Sequence, residues 1–378
     1  MALVLLACLL QDARARVGEA NDRLNRHLWE GRLALGDWCR SRGLVADAAQ
    51  HYAYVRDRIK GSHPYKSQAE KALAGSWRSK PDSADAKARD EHEKRSDAYA
   101  MKAADLAFDV YRAAKAGRLD DTAAQALATT LNLHVDHAGA RKERDEVAVV
   151  PFGWVPAGDV DRYRAAKQSE HFALCADHDV TDPFPRLEEV RAAVVRAFGD
   201  RFTWPGGKIG IVLLKDADAF ERVRASLPAA PPRGTVAFYS HLTHVVYMNG
   251  DWGTLVHEAV HAVVDQGAGA KKSALFTNGR LADAPRDYWV IEGLACWFAT
   301  HRLVDGKDVF SAPDVPAGLD VAAFMKMPSP EFLRDPPRHY AIAQALVGRF
   351  MDGPERGAFL DFARDFYAGR GDGSSLLK

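Results

Sequence analysis

An α+β chain, with an all-helical stretch followed by a domain that mixes strands and helices, is the fold class that this sequence predicts. Three observations carry it. From about Val17 to Glu146 the chain is rich in Ala, Arg, Leu and Asp with few β-branched runs, which is helical composition. After "VAVVPFGWVPAGDV" the character changes near Val147, and β-rich runs such as "KIGIVLLK" then alternate with helical segments. At 378 residues, 47% of them hydrophobic, the chain is long enough for about two cores. The expected division is a signal-like segment over 1–15, a helical region over 16–146 and an α+β domain over 147–378.

The first segment, "MALVLLACLLQDARA", is an apolar run followed by small residues at Ala13 and Ala15, the h-region and A-x-A part of a secretory signal without its basic n-region. Export to a periplasmic or extracellular location is expected, with a buried first helix as the alternative. "LLAC" also looks like a lipoprotein box ending at Cys8, although Leu9 and Leu10 carry the apolar run past it. About ten apolar residues are too few to cross a bilayer, and nothing later is apolar enough, so no transmembrane span is expected. Lys+Arg and Asp+Glu both total 51, which leaves no overall positive field to attract nucleic acid or anionic lipid. Cys8, Cys39, Cys175 and Cys296 show no C-x-x-C spacing, and their pairing is undecided.

Within the helical region, "HLWEGRLALGDWCRSRGLVADAAQHYAYV" places Leu35, Gly36, Gly43, Ala48 and Tyr52 in the order of small and large positions of a tetratricopeptide helix pair. It resembles one such repeat. "LNLHVDHAGARKERDE" resembles the start of another, with Val135 where a proline is usual. Either a two-repeat array or an irregular helical bundle fits. The intervening "SKPDSADAKARDEHEKR" is expected as a solvated helix face or loop.

In the second domain, "KIGIVLLK" (Lys208 to Lys215) is expected as a strand after the "WPGG" turn, and "DADAFERVRASL" as a helix. "GTVAFYS" and "THVVYMNG" form a candidate hairpin, the second run being a candidate edge strand for an extended peptide. Asp251 or Thr254 is the candidate cap of the next helix.

That helix contains "TLVHEAVHAVVDQ". His257 and His261, four apart, share one face, and Glu258 points about 100° away. The spacing suits two imidazoles on a zinc ion, with the glutamate as general base on a water that the metal activates. Leu255, Val256, Ala259, Val260, Val263 and Val264 would bury the helix, so its polar groups need partners. Catalytic zinc normally takes three protein ligands. Some thirty residues on, Glu292 is the only carboxylate in the apolar "DYWVIEGLACWFATH", where an unpaired charge is costly; Gly293 and Ala295 are small enough to let this helix pack against the first.

His257, Glu258, His261 and "WVIEGLACWF" resemble the gluzincin metallopeptidases, the peptidase-MA group that includes thermolysin and the zinc aminopeptidases. The stretch from about Trp154 to Phe366 is similar to a gluzincin-like family of exported bacterial proteins with tetratricopeptide-like helices ahead of the peptidase domain. The resemblance implies a thermolysin-like domain with a small mixed sheet, zinc held by His257, His261 and Glu292, and peptide hydrolysis, with no particular substrate. It also implies Tyr340, in "RHYAIAQALVGRF", as donor to the oxyanion. His339 is a weaker candidate donor, a packed aromatic is the plainer reading of Tyr340, and His241 and His244 are expected at the surface.

Two departures from the family pattern stand out. The acidic residue usual one turn after the glutamate ligand is Cys296 here; Asp265 could orient a histidine instead, but an exposed helix-end aspartate is the simpler expectation. The aminopeptidase motif is missing, since "YMNG" offers Met248 and Asn249 without a glutamate. The expected partners are a peptide or protein substrate and, through the helical region, another protein. A catalytically silent interaction module and a zinc hydrolase of non-peptide substrates are the competing readings.

Overall fold

A computed structural model describes residues 2–80, 83–227, 231–250, 252–268 and 288–367. The chain divides into two compact units, 1–143 and 144–378.

The first unit is helical throughout its described residues: α1 (Ala2–Ser41), α2 (Val45–Arg58), α3 (Pro64–Leu73), α4 (Ala86–Ala116), α5 (Asp120–Leu133) and α6 (Ala138–Glu143). The signal-like segment is the start of the 40-residue α1. Helix α1 packs on α2 and α4, and α4 on α5. The α1–α2 turn needs Gly43 at φ +76°, a conformation that a side chain disfavours. Leu35, Ala48 and Tyr52 are buried, and a Cβ on Gly36 would stand 2.8 Å from the Tyr52 ring, so glycine permits this close approach. The polar insert is not wholly a solvated face. Its second half begins α4, and His92 turns inward to meet His51 at 2.9 Å.

In the second unit, a small hairpin of β1 (Glu146–Val149) and β2 (Gly153–Pro156) precedes α7 (Val160–Arg164). Next come β3 (Lys167–Gln168), β4 (Phe172–Ala176), α8 (Phe184–Phe198), β5 (Ile209–Leu214), α9 (Ala217–Ser226), β6 (Ala237–Ser240), β7 (Val245–Asn249) and α10 (Trp252–Gly267). After the undescribed 269–287 follow α11 (Tyr288–Ala299), a hairpin of β8 (Arg302–Val304) and β9 (Lys307–Val309), α12 (Val321–Met325), α13 (Ser329–Phe332), α14 (Pro336–Asp352) and α15 (Arg356–Tyr367). The architecture is therefore α+β.

Five strands form a mixed sheet in the order β3-β4-β5-β7-β6, with β4, β5 and β7 parallel and the two outer strands antiparallel to their neighbours. "GTVAFYS" and "THVVYMNG" do pair as a hairpin, but β7 is interior. The edge belongs to β6, because β7 pairs with β5 on its other side. Alternation sorts the strand residues between two cores. Ile209, Ile211 and Leu213 of β5 pack toward α8, α10, α11, α14 and α15, whereas Val212 and Leu214 face Phe220 of α9. Every residue of β5 is buried, as expected for a parallel strand covered on both faces. Four of the five residues of β4 are buried in the same way, an apolar run that sequence reasoning missed. The candidate cap Asp251 lies outside the described residues, and Thr254 is already inside the first turn of α10.

Candidate metal centre

Helix α10 is packed on α8, β6, β7 and α11 because Leu255, Ala259, Val260, Ala262, Val263 and Val264 all need burial. That fixes the direction of its polar face. His257 and His261 lie one turn apart with their Nε2 atoms 3.0 Å from each other. Helix α11, with ten of its twelve residues buried, brings Glu292 to the same point: its Oε2 is 3.1 Å from His257 Nε2 and 3.6 Å from His261 Nε2. These three side chains form a group that could hold a metal ion. Ligands about 2.0 to 2.1 Å from a tetrahedral centre stand about 3.3 Å apart, a spacing that the three observed distances bracket. The donor set fits zinc.

The electrostatics point the same way. Burial resists charge on His257, but contacts with Cys296 and Glu292 and the field of Glu258 outweigh it and raise its pKa well above the ordinary value. Burial also opposes the charge on Glu292, yet the imidazoles of His261 and His257 hold its carboxyl far below the usual range. The pocket between them favours positive charge.

Glu258 stands outside this group. It lines the same cavity of about 680 Å³, and the backbone N–H of Tyr239 donates to its Oε2 at 2.8 Å. Tyr340, near the start of α14, stacks on His257 with ring centres 6.0 Å apart and planes within 4°. Burial, together with the carboxylates Glu292 and Glu258, drives its phenol pKa far up, so the hydroxyl keeps its proton as a donor. Sequence reasoning missed a second phenol. Tyr288, one turn before Glu292 on α11, contacts that carboxylate and lines the cavity; burial and Glu292 raise its pKa well above the ordinary value too. The i,i+4 spacing was the available signal.

Other candidates fall elsewhere. His339 is occupied: its Nδ1 donates to the Phe332 carbonyl at 2.6 Å, and its ring packs on Phe324 and Phe332. Gly293 does not serve the contact with α10. A Cβ there would stand 2.7 Å from the Ala343 carbonyl oxygen, so the glycine admits α14 instead. The expectation of an exposed Asp265 is overturned: it is fully buried, because β6 and the loop after it cover the last turn of α10. Its carboxylate accepts from the Tyr239 hydroxyl at 2.7 Å and lies 3.5 Å from His241 and 3.3 Å from His244. It does not orient His261, whose Nδ1 is buried without a hydrogen-bond partner. His241 is correspondingly no surface residue, being largely buried against Asp265 and lining the cavity, while His244 is half-buried with its side chain reaching solvent. Cys296 Sγ lies 3.7 Å from His257 Nδ1, and among the described residues Cys39, Cys175 and Cys296 form no disulfide.

Among the described residues no helix is long and apolar enough to cross a membrane. Compared with protein-family models, with curated proteins and with solved structures, the chain matches none, so any assignment of function stands on the geometry above.

Proposed function

We propose that the second unit is a zinc-dependent peptide hydrolase of the gluzincin type, with a thermolysin-like arrangement of metal helices beside a small sheet. One observation carries the reading: two imidazole nitrogens and a carboxylate converge within metal-ligand spacing, while a second carboxylate, Glu258, faces the same cavity from outside that group. A zinc ion held by His257, His261 and Glu292 would supply the Lewis acidity that makes water nucleophilic near neutral pH. Glu258, with one oxygen held by the Tyr239 N–H, is the base that would take a proton from a water in the cavity and pass it to the leaving amine. Tyr340 donates a hydrogen bond from its hydroxyl to the carbonyl oxygen as negative charge develops on it. The substrate backbone runs along β6, whose outer edge has no neighbouring strand among the described residues.

In the first unit, the close approach of Gly36 to Tyr52 supports a tetratricopeptide-like pair of α1 and α2 that recruits a protein partner. The apolar start of α1 supports export, which the N-terminal sequence of the mature protein would check.

The deciding variant is Glu258→Gln. It keeps its metal and loses about a hundredfold to ten-thousandfold in hydrolysis of a peptide library, the range for a lost general base. Loss of metal in that variant would make Glu258 a ligand and the mechanism wrong. Failure of the metal-loaded wild type to cleave any peptide would remove the peptidase reading.

A further inference from the structure

Tyr239 touches α10 at two points, two turns apart. Its backbone N–H donates to Glu258 Oε2 at 2.8 Å, and its side chain reaches past the helix face so that its hydroxyl donates to Asp265 Oδ2 at 2.7 Å. Both ends of the second contact are buried. A charge-assisted hydrogen bond shielded from water is stronger than a neutral one, and it fixes direction as well as distance. We propose that the Tyr239–Asp265 contact is a positioning device that staples the edge strand β6 to α10 and thereby sets the orientation of Glu258.

The need for such a staple follows from the topology. Strand β6 is four residues long and among the described residues pairs with β7 alone, so no described strand fixes its outer edge relative to α10. Glu258 projects from α10 on rotatable bonds, and its carboxylate accepts from the backbone N–H of Tyr239. If β6 drifts, the carboxylate drifts with it. A displacement of about 1 Å in a reacting group can cost on the order of a hundredfold in rate. Asp265 also faces His241 and His244, the two ends of the loop that joins β6 to β7, and His241 and Leu242 of that loop wall the cavity. One buried carboxylate therefore holds both the strand beside the general base and the adjoining wall. The Tyr239 backbone N–H meets the general base directly, whereas the contact of its hydroxyl with Asp265 acts on Glu258 only through the placement of β6.

This inference rests on the peptidase reading for its kinetic part only. Tyr239→Phe removes the hydroxyl and keeps the ring and the backbone N–H. Amide hydrogen exchange over 237–249 should quicken about tenfold, with metal content unchanged. Peptide hydrolysis should lose about tenfold in kcat with KM within twofold of wild type. Asp265→Asn, whose amide oxygen still accepts from Tyr239, should lie between the two. Exchange over 237–249 equal to wild type in the Tyr239→Phe protein overturns the staple, and quickened exchange with normal kcat overturns its positioning role. Should Tyr239→Phe not fold, Asp265→Asn gives the same two readouts against the same criteria. Because exchange needs no substrate, an inactive wild type would count against the peptidase reading while the staple is still decided.

Discussion

The two units each contain a pair of histidines whose Nε2 atoms face each other, at 2.9 Å for His51 and His92 and 3.0 Å for His257 and His261. The rings are nearly perpendicular in both pairs, at 81° and 83°, and each pair has a cysteine beside it, Cys39 or Cys296. By residue type and spacing both are candidate metal groups. What stands behind the imidazoles separates them. Arg32 NH1 lies 2.9 Å from His51 Nδ1, and a guanidinium can only donate. His51 must then carry its proton on Nε2 and donate it to His92, leaving the His92 proton on Nδ1, toward Asp47 at 3.9 Å. No lone pair of His51 is left for a metal. Behind His257 is a thiol, which can accept as well as donate, so Nε2 is free to be a ligand.

Charge reinforces the contrast. Glu292 and Glu258 face the second pair, whereas Arg32 is buried between the rings of Tyr54 and Tyr99, and no carboxylate of the described residues pairs with it. A dication roughly 7 Å from that guanidinium would be repelled by on the order of 5 kcal/mol at an effective dielectric constant of about 20. Two histidines and a cysteine in reach of one another are therefore insufficient. The atom on the far nitrogen and the sign of the nearest charge decide what the cluster holds.

The largest effect that could break this comparison is on metal content. If zinc binds at the second pair, the wild type should carry roughly one zinc per chain, His261→Ala should remove it and His51→Ala should leave it, measured by elemental analysis after dialysis under metal-replete conditions. Retention in the first variant, or loss confined to the second, would put the metal in the helical unit. A smaller effect sharpens the role of the ring over His257. Tyr340→Phe should keep zinc and KM and lose about a hundredfold to a thousandfold in kcat, the consequence of deleting one oxyanion donor. Turnover at the wild-type rate would reduce Tyr340 to a packing residue.

The smallest effect concerns the other pair. Burial, then Arg32, pushes the His92 pKa from 6.5 to about 4, and burial, Arg32 and His92 lower that of His51 well below its ordinary value. Between those two pH values the unfolded chain binds more protons at His92 than the folded one, so stability falls as pH drops from 6.5 to about 4 and levels off below. At about 1.4 kcal/mol per pH unit, reduced for the partial exposure of His92, the loss is of order 2 kcal/mol. His92→Gln should lose less stability than wild type between pH 7 and 4.5 by urea unfolding of the full chain. An equal loss would mean that His92 is protonated in the folded state.

The sequence revealed what is local. His257, Glu258 and His261 occupy one helix, so their geometry follows from 3.6 residues per turn, and Glu292 was visible as a lone charge among apolar neighbours. Strand and hairpin assignments at "KIGIVLLK", "AFYS" and "VVYMN" likewise needed only composition and turns. Three features depended on partners distant in sequence. Which strand of the hairpin is the edge is settled by β5 pairing with β7. Asp265 reads as a helix-end aspartate until β6 is laid over it, and the His51–His92 pair joins residues 41 apart on different helices. The helix that Gly293 admits was also hidden, because a small residue announces close approach without saying whose.

That last position has a consequence for the site as a whole. Helix α11 carries Glu292 and α14 carries Tyr340, and the two helices meet where Gly293 lies against the Ala343 carbonyl, less than one turn from the tyrosine. The separation of carboxylate and phenol is thus set by a missing methyl group. A single added carbon at residue 293 would wedge the helices apart along their backbones and carry Tyr340 away from His257, reshaping the cavity from a residue that is not part of its lining. The dimension that tunes this site is the thickness of one hydrogen atom.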